Sequence, residues 1–271
     1  MSTATSTEKT TFVPSQTAGT IGIFDAGIGG LPLADLIRRR APQHRIVYLG
    51  DAARRPYGPQ PAANVSRYVA EAERFFADHG CDVWVIACNT ASVVAENSVE
   101  RAIPVIDMMT AIQVAVRNAP DGPVGVMATA GTVASGVIPR VLTDRQVYQL
   151  ATEELLRLAE EGITDERINP LIAEAMTYLR ARRCTSAVLA CTDFTCILDP
   201  LRGAAGMCHL IDPLDAAADL ALTHVAEAAN LSHPLEGDLL YLTGEHPVDV
   251  VQYAAETYGL DLPAITYVTL P

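Results

Sequence analysis

The chain has 271 residues, enough for one large domain or two small ones, and about half of it (49%) is hydrophobic, so a full core can be buried. A net charge of −13 argues against nucleic acid as the main partner, because a phosphate backbone needs a surface rich in Lys and Arg. Apolar runs are broken by charge, Gly or Pro well before the roughly 18 residues that a membrane span needs, and the N-terminus lacks the layout of a secretory signal, so the expected setting is the cytoplasm, away from any membrane.

Residues 1–19 are polar and rich in Ser and Thr, and read as a flexible arm. Thr20 to Phe24 is an apolar strand, closed by the turn Asp25-Ala26-Gly27-Ile28-Gly29-Gly30. This turn lacks the GxGxxG spacing of a dinucleotide loop. A helix follows over Leu31 to Arg40, then a strand over Arg45 to Leu49. Residues 63–79 repeat apolar positions every three or four and predict an amphipathic helix. Asp82 to Ala87 is a continuous apolar run, as expected of a strand buried on both faces of a parallel sheet. A helix over 91–101 and a strand at Val105-Ile106 complete a βαβα order, which means an α/β fold with a parallel sheet. The pattern then restarts. Val124 to Met127 is a strand, a helix begins near Thr132, and another helix covers 165–183. Ala187 to Ala190 and Leu210-Ile211 are strands, and a helix over 215–229 leads to a polar stretch, Asn230 to Glu236. The tail adds a strand (Leu239 to Leu242), a helix over 247–258 and a last strand (Ile265 to Val268).

The six cysteines carry the chemistry. They include no CxxC pair, which excludes the usual zinc patterns, and a reducing cytosol makes disulfides unexpected. Residues 81–90 (CDVWVIACNT) and 184–193 (CTSAVLACTD) echo each other: each runs from a Cys through an apolar strand to Ala-Cys, with the second Cys seven positions after the first. Two similar halves are implied, each ending its central strand in a cysteine, where parallel α/β sheets bind ligands. Cys88 and Cys191 therefore sit at the working ends, while Cys81 and Cys184, at the strand starts, are structural. Two thiols facing each other across a cleft suit one reaction class: one takes a proton from a carbon and the other returns a proton to the opposite face. A thiol titrates near about 8.5 and needs a partner to move its proton. The histidines, His246 and His44 among them, lie outside these motifs and read as solvated or capping residues.

Several segments together resemble glutamate racemase of the aspartate/glutamate racemase superfamily. They are Ile23-Phe24-Asp25-Ala26-Gly27-Ile28-Gly29-Gly30-Leu31, Tyr48 to Arg54, Pro56-Tyr57-Gly58-Pro59, Val85 to Ser92, Ala128 to Val133, Cys191-Thr192 and Tyr241-Leu242-Thr243-Gly244. The resemblance spans about residues 20–268. It implies two pseudo-symmetric flavodoxin-like domains with parallel sheets and the active site in the cleft between them, the first from 20–109 plus 215–271 and the second from 110–214. It implies a small anionic amino-acid substrate, glutamate first, no pyridoxal phosphate or metal, and a homodimer as the common assembly. Cys88 and Cys191 would be the two acid/bases, with Asp25 assisting Cys88. Asn89, Thr90, Thr129, Thr132 and Thr192 would hold the α-carboxylate and ammonium, beside Ala26. Pro56, Tyr57 and the Gly58 backbone would cradle the distal carboxylate. D-Glutamate made in this way would serve peptidoglycan.

The sequence also departs from that pattern. Ala26 stands where the family has Ser, and Asp193 where it has His, so that Cys191 is partnered by a carboxylate. The segment 147–162 matches weakly, although Glu160 aligns with the family's assisting glutamate; a surface helix glutamate is its other reading. These departures keep open a paralogue acting on another amino acid such as aspartate, a decarboxylase or isomerase of a small dicarboxylate, and an inactive homologue acting as a binding protein.

Overall fold

A computed structural model of the chain describes residues 18–95, 102–228, 237–246 and 248–270. Nearly all of the arm expected over 1–19, the polar stretch Asn230 to Glu236 and the end of the helix expected over 91–101 lie outside the described residues. The first sheet begins with β1 (Thr20–Asp25), α1 (Leu31–Arg40), β2 (Arg45–Gly50), α2 (Ala62–Asp78), β3 (Val83–Ile86), α3 (Asn89–Ala95), β4 (Val105–Asp107) and α4 (Met108–Arg117). The second follows with β5 (Val124–Ala128), α5 (Ala130–Ser135), α6 (Val137–Val141), β6 (Val147–Ala151), α7 (Glu153–Glu160), α8 (Asn169–Ala181), β7 (Ser186–Ala190), α9 (Leu198–Ala205) and β8 (His209–Ile211). The tail consists of α10 (Leu214–Ala228), β9 (Leu239–Leu242), α11 (Val250–Tyr253) and β10 (Ile265–Tyr267).

Every strand pairing is parallel. The larger sheet has the order β10-β9-β2-β1-β3-β4 and the smaller β6-β5-β7-β8. The run β2-β1-β3-β4 is therefore repeated as β6-β5-β7-β8, with β3 and β7 in equivalent places. This is the internal symmetry that the cysteine echo points to. All residues of β1, β3, β5 and β7 are buried, because helices cover both faces of a parallel sheet.

Local chemistry explains the helices that frame the cleft. Helix α1 has Pro in its first turn, where no N–H is needed, and Arg38, Arg39 and Arg40 in its last, facing the negative end of the helix dipole. Helix α2 buries Val65, Tyr68, Val69, Ala72 and Phe76 along one stripe. Gly22 of β1 lets it close in: a Cβ there would stand 2.6 Å from the Phe76 ring. Asp107 ends β4 and caps α4, accepting from Thr110 N at 2.9 Å. Cys81 and Cys184 are buried at the strand starts, and burial pushes the Cys81 thiol up to about 12, away from reactivity.

Candidate active site

The carboxyl ends of the two sheets enclose a cavity of about 310 Å³. Its first wall is the end of β1 and the turn after it. Asp25 is buried and accepts hydrogen bonds from Gly27 N and from Thr192 Oγ1, both at 3.1 Å. The second of these crosses from one sheet to the other. Gly29 sits under the same crossing, since a Cβ there would stand 2.7 Å from Thr192 Oγ1. The turn needs glycine for this close approach and carries no phosphate cradle. Burial pushes the Asp25 carboxyl up, although the bonds from Gly27 and Thr192 act against it.

Cys88 leaves β3 and Cys191 leaves β7, so the equivalent strands deliver one thiol each to the same cavity. Burial pushes both thiols up; Asp25 adds to this at Cys88 and Asp193 at Cys191. Cys191 Sγ donates to Asp193 Oδ2 at 3.3 Å. The Asp193 carboxyl is pushed up to about 7, first by burial and then by the charges of Asp25 and Glu160. It therefore exchanges its proton near neutral pH. Each thiol has a carboxylate for a neighbour, and the arrangement can take and return protons at both ends of the cavity.

A ring of hydroxyls joins the sheets on another side. Thr90 Oγ1, at the start of α3, lies 3.0 Å from Thr129 Oγ1 and 3.3 Å from Thr132 Oγ1, and Thr129 is 3.0 Å from Thr132. Thr90 and Thr129 line the cavity, while Thr132 stands behind them. Asn89 is buried outside the lining, and its Oδ1 has no hydrogen-bond partner. The rim is made by Pro56, Tyr57 and Gly58. The Tyr57 hydroxyl is committed to Asp51, so its ring and backbone are what it offers the cavity.

Asp51 anchors this rim. It is fully buried and also takes Arg54 Nε, at 3.0 and 2.7 Å, and Thr243 Oγ1 at 2.6 Å. Arg54 in turn pairs with Glu71 and lies 4.0 Å above the Tyr68 ring. Asp51→Ala removes the partner of Arg54 Nε and of the Tyr57 hydroxyl while leaving Arg54 paired with Glu71, and is expected to cost about 2 kcal/mol in urea unfolding. A cost below about 1 kcal/mol would show that the network holds little.

Ala26, Cys191, Thr192, Asp193 and Glu160 also line the cavity. Other wall residues were not legible in the sequence. Glu153, at the start of α7, accepts from Ala130 N at 2.7 Å and lies beside Gly58, where a Cβ would stand 3.2 Å from its Oε1. Ile28, Leu156 and Arg157 join it. The expectation that the histidines are solvated or capping is corrected at two places. His246 lines the cavity, where burial and then Arg55 push it down to about 4. His44 is buried and accepts from Gly19 N at 3.1 Å. Cys196 donates to Asp193 O at 2.9 Å and is a packed thiol, pushed up to about 12.

The sequence model of the Asp/Glu/Hydantoin racemase family matches residues 33–221. The chain belongs to this family. Within it, this racemase-family chain is 31% identical over 263 residues to a glutamate racemase from Syntrophus aciditrophicus, covering 92% of this chain and 96% of that one. It is 35% identical over 181 residues to a glutamate racemase from Corynebacterium glutamicum, covering 64% and 66%. The crystal structure of glutamate racemase from Francisella tularensis in complex with D-glutamate superposes with a TM-score of 0.83 at 27% identity, over 93% of this chain and 97% of that one. Among the described residues, no helix is long and apolar enough to cross a membrane.

Proposed function

We propose that this chain interconverts L- and D-glutamate without a cofactor, by moving protons between two thiols and the substrate α-carbon. The observation that carries this reading is the pairing of Cys88 and Cys191. They come from equivalent strands, they face one cavity, and each has a carboxylate near it, Asp25 for Cys88 and Asp193 for Cys191. In one direction the first thiolate takes the α-proton and the electron pair moves toward the α-carboxylate. The second thiol then gives its proton to the opposite face. Asp25 relays protons for Cys88, and Asp193, with Glu160 nearby, does so for Cys191.

The substrate's α-carboxylate is placed against Thr90, Thr129 and Thr192, with Thr132 and Asn89 supporting them, where hydroxyls stabilise the charge that develops as the proton leaves. The ammonium faces Asp25, next to Ala26. The distal carboxylate lies along Pro56, Tyr57 and Gly58. The D-glutamate bound in the Francisella structure supports a small amino acid as the occupant.

The test is exchange of the α-proton for deuterium, followed by NMR in D2O with L- and D-glutamate. Aspartate and glutamine belong in the same panel, because the Glu153 carboxylate stands beside Gly58. Exchange with inversion of both glutamate enantiomers is expected. Turnover of a different amino acid alone would move the enzyme to another substrate, and silence across the panel would sink the racemase reading.

A further inference from the structure

The cavity holds an imbalance of charge. Asp25, Glu153, Glu160 and Asp193 all line it, on β1, on α7 and after β7. Among the described residues that line the cavity or the hollow at its mouth, the cations are few. Arg157 is occupied by two exposed partners, Glu154 and Glu161, each at 2.8 Å. His246 is held neutral by its surroundings. That leaves Arg55.

Arg55 precedes the rim residue Pro56, and its guanidinium pairs with Glu160 of α7. The pair therefore joins the loop after β2, on the larger sheet, to a helix of the smaller one. Both partners are largely shielded, with side chains 12% and 22% exposed. The stem of Arg55 packs beside the glycine turn: a Cβ on Gly27 would stand 3.8 Å from its Cδ and 3.5 Å from His246 Nε2. A guanidinium so placed is poorly screened by solvent and acts on the carboxylates behind Glu160.

We infer that Arg55 is a positioning residue for the second proton-transfer pair: by neutralising Glu160 at the cavity mouth, it leaves Asp193 able to share a proton with Cys191. The inference rests on the racemase reading and adds to it a residue that no motif contains. Asp193 feels negative charge from Asp25 and Glu160, positive charge from Arg55, and the adjoining thiols. The phenols of Tyr48 and Tyr258 also face it. Of these neighbours, only Arg55 favours the ionised carboxylate by its charge. Relay from Cys191 needs that ionised form. Removing the guanidinium leaves Glu160 unbalanced and drives Asp193 toward its protonated state. Because L- and D-glutamate are equal in free energy, both directions share one kcat/KM profile, so its acid limb moves up equally in both.

The direct test is a carbon-13 NMR titration of protein labelled at aspartate carboxyls, with the Asp193 signal assigned by its loss in Asp193→Asn. Arg55→Met is expected to raise the Asp193 inflection, and the acid limb of kcat/KM with it, by on the order of one pH unit. This would be read as a roughly tenfold loss of kcat/KM below the limb. Arg55→Lys should restore most of the shift, as should adding Glu160→Gln to Arg55→Met. Glu160→Gln alone should lower the inflection, which keeps the test available if Arg55→Met fails to fold. An unmoved inflection in folded Arg55→Met, or a raised KM with an unmoved limb, overturns the inference. If the wild type exchanges no α-proton at all, the racemase reading fails, and the titration still decides whether Arg55 governs Asp193.

Discussion

Cys88→Ser and Cys191→Ser are each expected to lose inversion of glutamate by about 10³-fold or more, since acid–base catalysis by one placed group is worth roughly 10²–10⁴. A serine hydroxyl in the same place gives up its proton far less readily than a thiol, and burial among carboxylates opposes ionisation further. The more telling outcome lies in what survives. Each variant keeps one thiol with its carboxylate, Asp193 beside Cys191 or Asp25 near Cys88. That thiol can still take an α-proton and return a solvent deuteron to the same face. Exchange without inversion should therefore persist for one enantiomer in Cys88→Ser and for the other in Cys191→Ser. Proton NMR in D2O follows exchange and polarimetry follows inversion. A variant that still inverts glutamate at the parent rate would remove its cysteine from the mechanism.

Gly131→Ala should be nearly as damaging, for steric reasons alone. Gly131 lies in the first turn of α5, on the smaller sheet, and a Cβ there would stand 2.5 Å from the carbonyl oxygen of Gly58 on the rim of the larger one. Two backbones meet at this point, so no flexible side chain can give way. The rim or the helix must shift, and both carry parts of the cavity: Gly58 on one side, and on the other Thr129 with Thr132 behind it. Misplacement on this scale costs roughly 10²-fold in kcat/KM. Overpacking of about 1–3 kcal/mol should appear in thermal unfolding without loss of cooperativity. Unchanged kinetics would mean that the two units are free to separate at the rim.

Much of this fold can be read from the residues because the parallel strands are continuous apolar runs: Thr20 to Phe24, Asp82 to Ala87 and Ala187 to Ala190 fall within a residue or so of the observed β1, β3 and β7. Strand β6 escapes that reading because Val147–Ala151 is a half-exposed edge strand without a continuous apolar signal. Helix α4 escapes because it starts directly from β4 with no Gly or Pro between them. The expected helix over 165–183 forms as a short 3₁₀ turn, Glu166–Ile168, running into α8. At the site, residues at strand ends announce themselves: Asp25, Cys88, Thr129 and Cys191 each follow an apolar run. Arg55, Glu153 and His246 do not, because their placement depends on partners distant in the chain. Arg55 and Glu160 are 105 positions apart. Asn89, expected at the substrate, is drawn into the buried start of α3.

The strand order also dictates the order in which the molecule can be completed during synthesis. The smaller sheet takes β5 to β8 from one stretch, Val124 to Ile211, so all its pairings are available once that stretch has emerged. The larger sheet draws β1 to β4 from before that stretch and β9 and β10 from after it. Until Leu239–Leu242 emerges, β2 presents an open edge, the kind of edge on which nascent chains pair wrongly. Thr243, the residue after that strand, supplies one of the hydrogen bonds to Asp51 beneath Tyr57. The rim of the cavity is thus among the last features to be fastened, and a nascent chain gains its finished pocket only as its final strands dock.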